Sequence, residues 1–473
     1  MRPKKHFPIL FCAVSFLIVN KMLAQASVST PLTLQKAVQL AMRNNPDLRT
    51  SRLEMEKAGG RVLEAWGNAL PAVDISGQYV HLLDKPVSYF PDYLIYPLYK
   101  IMGDSTHYPN PSGQLILLPG SMSPGFSAGA SLNVRQILFN GAVIIGVGAA
   151  NTYSHLASDL YRAKTVETVS KVKKVYYGAL LAREVFELTR SSLRNAEDNL
   201  KNVQLMKSQG IISEYDELRA TVGVENVRPM VIQAENGYEL ALDGLRNTIG
   251  MAETESLSLV DSLSFEAVDD VTIANADNIA METNPGLSAV QRQIDLNGAA
   301  VNAERSNYLP TILAFGSYQY QGIKNEFNFS TNDFYKSSQV GLSLSLNLFQ
   351  GLQTYARIEQ AQLEQQKSEE QKTALERNLR TGVHSVKNNL QQARKRLEVQ
   401  DKTIELATRG YKIVTTRFLS SSATQLEVND AELALTQARV NRVQAVYDYL
   451  VAAADLDQLI GRLPTYVVDT NLE

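Results

Sequence analysis

An apolar 3-4 spacing runs through residues 379–418, and Gln400 is its only polar member. Its positions are Leu379, Val383, Val386, Leu390, Ala393, Leu397, Gln400, Ile404, Ala407, Tyr411, Val414 and Phe418. This spacing is typical of the seam along which long helices pack as a coiled coil. A seam of this length predicts a helix far longer than the helices of most globular domains.

The same seam occurs earlier in the chain, at an offset of 211 residues. Thr189 stands there at the place that Gln400 occupies in the second copy. The earlier positions are Val172, Val175, Ala179, Ala182, Phe186, Thr189, Leu193, Ala196, Leu200, Val203, Lys207 and Gly210. A repeated seam indicates an internally duplicated helical structure.

Two proline motifs are also duplicated. Asn45-Pro46 recurs as Asn284-Pro285, and Leu70-Pro71 recurs as Leu309-Pro310 at the same offset. Proline suits the first turn of a helix, so each Asn-Pro is predicted to open a helix of about 24 residues. Each Leu-Pro is predicted to end that helix, because proline cannot continue it.

Alternating apolar and polar residues follow both Leu-Pro motifs. This pattern predicts strands with one face exposed to water. The alternation has no exception over residues 340–348, about the length of a tilted transmembrane strand. We therefore predict β-hairpins at 71–138 and 310–349. The first carries a long insertion at 81–124, rich in proline and tyrosine, which we place outside the cell without assigning it a role.

Long helices are predicted to follow the Leu-Phe-x-Gly junctions that end both hairpins. They span 142–209 and 352–418, roughly 100 Å each at 1.5 Å per residue. Ser213 with Asp216, and Thr424 with Glu427, have the spacing of a capping box, in which each pair satisfies backbone N–H groups reciprocally. Returning helices are therefore predicted at 213–250 and 424–461, with glycine at their ends.

The predicted organisation has five parts. They are a signal peptide at 1–24, a first repeat at 25–250, an inter-repeat linker or equatorial region at 251–270, a second repeat at 271–461 and a C-terminal tail at 462–473. The basic start, apolar run and small residues of 1–24 are typical of a secretory signal.

Composition excludes several classes of function. The only cysteine, Cys12, lies in the predicted signal, so the mature chain has no disulfide or cysteine metal ligand. The formal net charge is -3 and becomes more negative when the basic signal is removed, which disfavours nucleic acid as a partner. No 18-residue apolar run follows the N-terminus, so no membrane-spanning helix is predicted.

Catalytic motifs are weak. Residues 125–129 match the G-x-S-x-G nucleophile pattern, but that motif needs a strand before it and a helix after it, whereas here it begins a strand. The five histidines are scattered, without the spacing of a metal site. We predict no enzyme, cofactor or metal site.

Glu427 and Asp430 lie three residues apart and share a helical face. One interpretation is that they complement the dipole at a helix start. The other is an acidic ring at a pore mouth, formed if several copies of this turn meet at an axis.

Four strands cannot close a membrane barrel alone, because single-chain outer-membrane barrels start at about eight strands and open edges are not tolerated in lipid. Copies must therefore combine, and a conduit favours three over two since about eight strands leave little lumen. A stand-alone porin would not need the long helices, and a periplasmic coiled-coil scaffold would not need the strands.

The order helix, hairpin, long helix, returning helix, repeated twice, resembles the TolC-like outer-membrane efflux protein family (outer membrane factors). The resemblance is carried by the paired Asn-Pro, Leu-Pro and Leu-Phe-x-Gly motifs and by the duplicated caps, from residue 32 to residue 461. Each motif alone is common, whereas their paired order is specific.

This resemblance implies a mixed fold of all-α coiled-coil helices plus a membrane β-barrel. Four strands per chain would contribute to a trimeric 12-stranded barrel, continued by a long α-helical periplasmic tunnel. It also implies a homotrimer in the outer membrane of a Gram-negative cell, in contact with outer membrane lipid. The implied partners are a periplasmic adaptor protein and an inner-membrane efflux transporter, and solute passes through without a cofactor.

In the family the tunnel closes at the helix turns, through acidic rings and hydrogen bonds from tyrosine and arginine. By resemblance, Glu427 and Asp430 match the acidic positions, Phe418 stands where a tyrosine is expected, and Ala423 replaces the expected arginine. The candidate pore or gate residues are Glu427, Asp430, Asp216, Phe418 and Arg417, with Ser213 and Thr424 as helix caps at the tip.

Overall fold

A computed structural model describes residues 30–84, 88–93, 97, 101, 113, 115–118, 124–252 and 255–468. The predicted signal peptide, most of the 81–124 insertion and the end of the tail lie outside the described residues. The described chain divides into two compact units. The helical unit takes its residues from 30–57, 155–293 and 368–468, and the strand unit from 58–154 and 294–367.

Helices dominate the described residues. In chain order they are α1 Leu34–Asn44, α2 Pro46–Gly67, α3 Gly141–Ser208, α4 Glu214–Ile249, α5 Asp270–Thr283, α6 Pro285–Arg305, α7 Gln353–Leu419, α8 Gln425–Leu459 and α9 Thr465–Val468. Both long helices, α3 and α7, end within a residue of the predicted positions. None of the helices in the described part of the chain has the length and apolar character needed to cross a membrane.

The strands are short except in one four-stranded sheet. They are β1 Thr30–Leu32, β2 Ala72–His81, β3 Ser88–Pro91, β4 Leu115–Leu118, β5 Phe126–Phe139, β6 Leu257–Leu259, β7 Thr311–Lys324 and β8 Phe334–Ser345. The sheet has the order β2-β5-β7-β8, with every neighbouring pair antiparallel. β3 and β4 form a separate antiparallel pair within the 81–124 insertion.

The last strand of the sheet differs from the sequence prediction. β8 begins at Phe334 and ends at Ser345, so it starts earlier and ends earlier than the alternating segment 340–348. The chain leaves the sheet before α7 through two residues with positive φ, Gly351 at 58° and Leu352 at 66°. In the first repeat β5 instead continues to Phe139 and α3 begins two residues later.

The helical unit has two equivalent apolar cores, one for each repeat. In the first, Ala41 of α1 packs with Val172 and Tyr176 of α3 and with Ile249 of α4. The second core brings together α5, α7 and α8 in the same way. Its fully or nearly fully buried members are Ala276, Ala280, Leu379, Val383, Val386, Leu390, Ala393, Tyr449, Ala452, Leu456 and Ile460. The seam residues of both long helices therefore form the cores, as a coiled-coil seam should.

In both repeats the asparagine of the Asn-Pro motif joins two helix ends. Asn45 Oδ1 accepts a hydrogen bond from Leu48 N at 3.1 Å, and Asn45 Nδ2 donates to Thr248 O at 3.0 Å. Asn284 Oδ1 caps α6 in the same way, and Asn284 Nδ2 donates to Leu459 O at 2.9 Å. One side chain thus satisfies a donor at the start of one helix and a carbonyl at the end of another.

The glycines that follow the returning helices lie against the same motifs. Gly250 and Gly461 have φ values of 71° and 65°. A Cβ atom on Gly250 would lie 2.7 Å from Asn44 O, and one on Gly461 would lie 2.6 Å from Thr283 O. Both the left-handed conformation and the close backbone approach therefore require glycine.

The linker between the repeats is part of the first core. Its strand β6 pairs in parallel with β1, and Leu257 and Leu259 are buried. The Oη atom of Tyr176 lies 2.8 Å from Asp261 Oδ2, and Arg183 donates to the carbonyls of Leu259 and Asp261 at 2.8 and 2.6 Å. The linker is thereby fixed along the side of α3.

Candidate pore entrance and pore-lining face

Both helical hairpins end in a turn that uses the left-handed conformation. We name the α3–α4 pair the first hairpin and the α7–α8 pair the second hairpin. Gly210 has φ 72° in the first turn, and Ser421 has φ 58° in the second. Gly210 N donates to Lys207 O at 2.9 Å, and Ser421 N donates to Phe418 O at 2.9 Å. The two turns are equivalent, but the second places a serine where the first has glycine.

The helix caps at the two turns differ. Ser213 and Asp216 form a capping box: Ser213 Oγ accepts from Asp216 N, and Asp216 Oδ2 accepts from Ser213 N, both at 3.3 Å. Thr424 Oγ1 accepts from Glu427 N at 3.3 Å. The Glu427 carboxylate accepts no hydrogen bond from Thr424 N or from any other described residue. The second cap therefore lacks the reciprocal bond of a capping box.

This difference separates the acidic candidates. The carboxylate of Asp216 is used by the cap and also accepts from Ser213 Oγ at 2.7 Å. Glu427 and Asp430 are both exposed, and their carboxylates have no hydrogen-bond or ion-pair partner among the described residues. Two carboxylates near the start of α8 are therefore available to ions in the solvent, whereas Asp216 is committed to holding a helix end.

Phe418 lies in a core at the tips rather than on an exposed face. It is 4% exposed and packs with Val203 and Met206 of α3, Ala220 of α4 and Val428 of α8. Arg417 is exposed, and its Nη2 donates to Ser422 O at 2.7 Å, which satisfies a carbonyl of the turn. Phe418 therefore holds the two hairpins together by apolar packing, and Arg417 stabilises the turn of its own hairpin.

Glu432 is a residue that sequence reasoning missed. It is only 8% exposed, on the face of α8 that also buries Gln425 and Val428. Ser192 Oγ on α3 donates to Glu432 Oε1 at 3.5 Å, and Asn195 also hydrogen-bonds the carboxyl. Burial raises the pKa of Glu432, and both hydrogen bonds act in the opposite direction. The available signal was its 3-4 spacing with Gln425 and Val428, which places it on the buried face of α8.

The sheet has one apolar face. Val73, Val134, Gly316 and Val340 form a row across all four strands in the observed register. Alternation along β8 adds Leu342 to the same face, and Val340 and Leu342 are 90% and 72% exposed. Exposed apolar side chains on a continuous sheet face require a partner or a lipid environment.

The opposite face of the sheet is polar. Asp74, Asn133, Ser317 and Gln339 form the row next to the apolar one. Asn133 Nδ2 donates to Asp74 Oδ2 at 3.1 Å. A sheet that is apolar on one side and hydrogen-bonded by polar side chains on the other fits lipid on the first side and water on the second.

The residues that first suggested other chemistry do not form a site. Ser127 of the G-x-S-x-G pattern lies within β5, followed by strand rather than by a helix. Within the part of the chain that the structure describes, no three His, Asp or Glu side chains are grouped to hold a metal ion.

Known proteins match this chain along most of its length. A family model described as outer membrane efflux protein matches residues 112–251 and 278–462. The alkaline protease secretion protein AprF of Pseudomonas aeruginosa is 24% identical over 338 residues, 71% of this chain and 69% of AprF. The outer membrane protein TolC of Vibrio cholerae is 23% identical over 345 residues, 72% of this chain and 78% of TolC. The crystal structure of the outer membrane protein VceC from Vibrio cholerae matches with a TM-score of 0.71 and 14% identity, over 91% of this chain and 96% of VceC.

The predicted fold class, coiled-coil helices of an α-helical tunnel together with a β-barrel, is confirmed by these comparisons and by the four-stranded sheet among the described residues. The predicted localisation, the outer membrane with helices extending into the periplasm, is confirmed as well. The family model matches well over half of the length of this chain. The chain therefore belongs to the outer membrane efflux protein family, whose members are channels and not enzymes.

Proposed function

We propose that this protein is the outer-membrane conduit of a multi-part export system. In this role it works with a periplasmic adaptor protein and an inner-membrane transporter. Solute delivered by the transporter passes through the conduit to the exterior without chemistry or a cofactor. The family match and the similarity to a secretion protein and to TolC support an export role.

The observation that carries the proposal is the four-stranded sheet with two open edges. Among the described residues β2 and β8 each pair with one neighbour only, and the sheet is apolar on one face and polar on the other. Unpaired strand edges are not stable in lipid, so copies of the chain must supply the missing neighbours. Three copies give twelve strands and enclose a lumen lined by the polar row of Asp74, Asn133, Ser317 and Gln339.

The gate in this proposal is at the two helical hairpin tips. Inward coiling of the hairpins closes the conduit, and contact with the adaptor uncoils them, as a shift between two packings of the same seams. Glu427 and Asp430 from the three copies then form an acidic ring at the periplasmic mouth. The exposure of both carboxylates and their lack of described partners support this role.

Single-channel conductance in planar lipid bilayers tests the conduit and its ring together. We expect the purified protein to give a small conductance that prefers cations, since carboxylates at a constriction attract them. The double variant Glu427→Ala with Asp430→Ala should lose this preference and conduct more anion.

The matched control is Glu398→Ala with Glu405→Ala, which removes two exposed carboxylates of α7 away from the turn. It should leave the ion selectivity unchanged. Selectivity that is unaffected by the tip variant would assign Glu427 and Asp430 to the helix start alone, and a protein with no conductance would contradict the conduit.

A further inference from the structure

The buried carboxyl of Glu432 lies where the first hairpin meets α8. A cavity of about 330 Å³ opens beside it, lined by α3, α4 and α8. Glu432 is the only charged or titratable residue among the described residues that line it, and the other polar lining residues are Thr189, Ser192, Asn199, Asn226, Asn429 and Thr436. Moving the first hairpin away from α8 would therefore expose Glu432 to water.

No cation among the described residues pairs with this carboxyl. Ser192 and Asn195 of α3 are its hydrogen-bond donors, both neutral, and no described lysine, arginine or histidine forms an ion pair with it. The cavity residues of α4 are uncharged, and on its own helix Asn429 is neutral. An ionised carboxylate that is buried without a counter-ion is costly, so this packing favours the protonated acid.

One other titratable group faces the same site. Tyr411 of α7 has its pKa raised by burial and, to a lesser extent, by the charge of Glu432. Because this shift moves the tyrosine further above neutrality, Tyr411 stays protonated throughout the range in which Glu432 titrates. Titration at this contact is therefore the titration of Glu432 alone.

We propose that Glu432 is a protonation site that controls the contact between the two hairpins. Protonated Glu432 stabilises the packed arrangement, and ionisation of Glu432 favours separation of the first hairpin from α8. This inference goes beyond the proposed conduit by adding proton control to the gate. The effect on hairpin packing is independent of the conduit, whereas the effect on transport rests on the proposed function.

The direction of the pH effect follows from linkage. The packed arrangement binds the proton more tightly than a separated one, in which Glu432 is in water and has the ordinary pKa of a glutamate. The extra stability of the packed arrangement is complete below that ordinary pKa. It is lost as the pH rises from there through the raised pKa of the buried carboxyl, so acid favours packed hairpins.

Thiol alkylation of the full-length assembly in detergent measures this packing without any transport. Ala220 is 3% exposed and lines the cavity, whereas Gln209 is exposed beside the turn of the same hairpin. The variants Ala220→Cys and Gln209→Cys are made separately in a Cys12→Ser background. At each pH the alkylation rate of Ala220→Cys is divided by that of Gln209→Cys. This ratio removes the pH dependence of thiol chemistry.

We expect this ratio to rise with pH by about tenfold for each unit by which the pKa of buried Glu432 exceeds that of an exposed glutamate. Adding Glu432→Gln, which keeps the shape but cannot ionise, should hold the ratio low at every pH. Adding Glu427→Gln, an exposed carboxylate on the same helix, should leave the rise intact. A ratio that does not change with pH, or a rise that survives Glu432→Gln, would overturn the proposal.

Asn195→Ala provides a second arm that keeps Glu432 in place. It removes a donor that favours the ionised form, so the midpoint of the rise should move to higher pH. A midpoint that is unchanged or lower would overturn the role of Glu432. Since alkylation does not depend on conduction, a missing pH response would refute only the proton control, and a missing conductance would refute only the conduit.

Discussion

At the scale of single residues, the second turn is strained where the first is not. Ser421 has φ 58°, a left-handed conformation that is unfavourable for residues with a Cβ, while Gly210 holds the equivalent place in the first turn. We expect Ser421→Gly to stabilise the second turn by about 0.5–1 kcal/mol, because glycine adopts this conformation without steric cost. Amide hydrogen exchange over residues 416–424 should slow accordingly.

Two variants control this result. Gly210→Ser should speed exchange at the first turn, where a Cβ meets no atom within 4 Å and so adds only conformational strain. Ser420→Gly changes a neighbouring serine without positive φ and should bring no gain. Faster exchange in Ser421→Gly would show that the left-handed serine is not the weak point of the turn.

Residue-level prediction worked where the cause is local. The cap at Ser213 depends only on the residue three positions later, and the structure shows that capping box. Phe418 and Glu432 depend instead on what packs opposite: Phe418 is buried because Val203 and Met206 of another hairpin cover it. A single sequence does not contain that pairing, so it predicted Phe418 as a seam residue and gate candidate without showing what covers it, and Glu432 was overlooked.

At the scale of elements, the duplicated Asn-Pro motif does more than open a helix. Asn45 caps α2 and also binds the end of α4, and Asn284 does the same for α6 and α8. We expect Asn45→Ala and Asn284→Ala each to lower the free energy of unfolding by about 1–3 kcal/mol, through the lost cap and the carbonyl left without its donor. Denaturant unfolding followed by circular dichroism measures the change.

Asn247→Ala is the matched control, because Asn247 lies near the end of α4 and is exposed. It should be neutral or slightly stabilising, since alanine is the better helix former. Equal stability of Asn45→Ala and Asn247→Ala would contradict the joint role of the motif.

The element boundaries show why some predictions held better than others. Helix ends are marked by proline, glycine and capping residues. The ends of α3 and α7 could therefore be predicted from the sequence to within one residue. The end of β8 has no such mark, because the alternating pattern continues beyond Ser345 to Leu348. The register across the sheet follows from pairing between distant strands, and only the structure provides it.

At the scale of the whole molecule, the described chain is incomplete as a membrane structure. Its sheet presents an apolar face and leaves β2 and β8 each without a second neighbour. In the described residues the duplicated architecture gives one four-stranded sheet and two helical hairpins, and only association of copies can close the sheet. A conduit therefore requires three chains, whereas two chains would leave almost no lumen.

The number of chains in the purified assembly tests this account most directly. Native mass spectrometry of the full-length protein released from detergent micelles gives that number. We predict a particle of three chains that persists on dilution, because every sheet edge is then paired. A stable particle of one or two chains would contradict the account, since such a particle encloses no conduit.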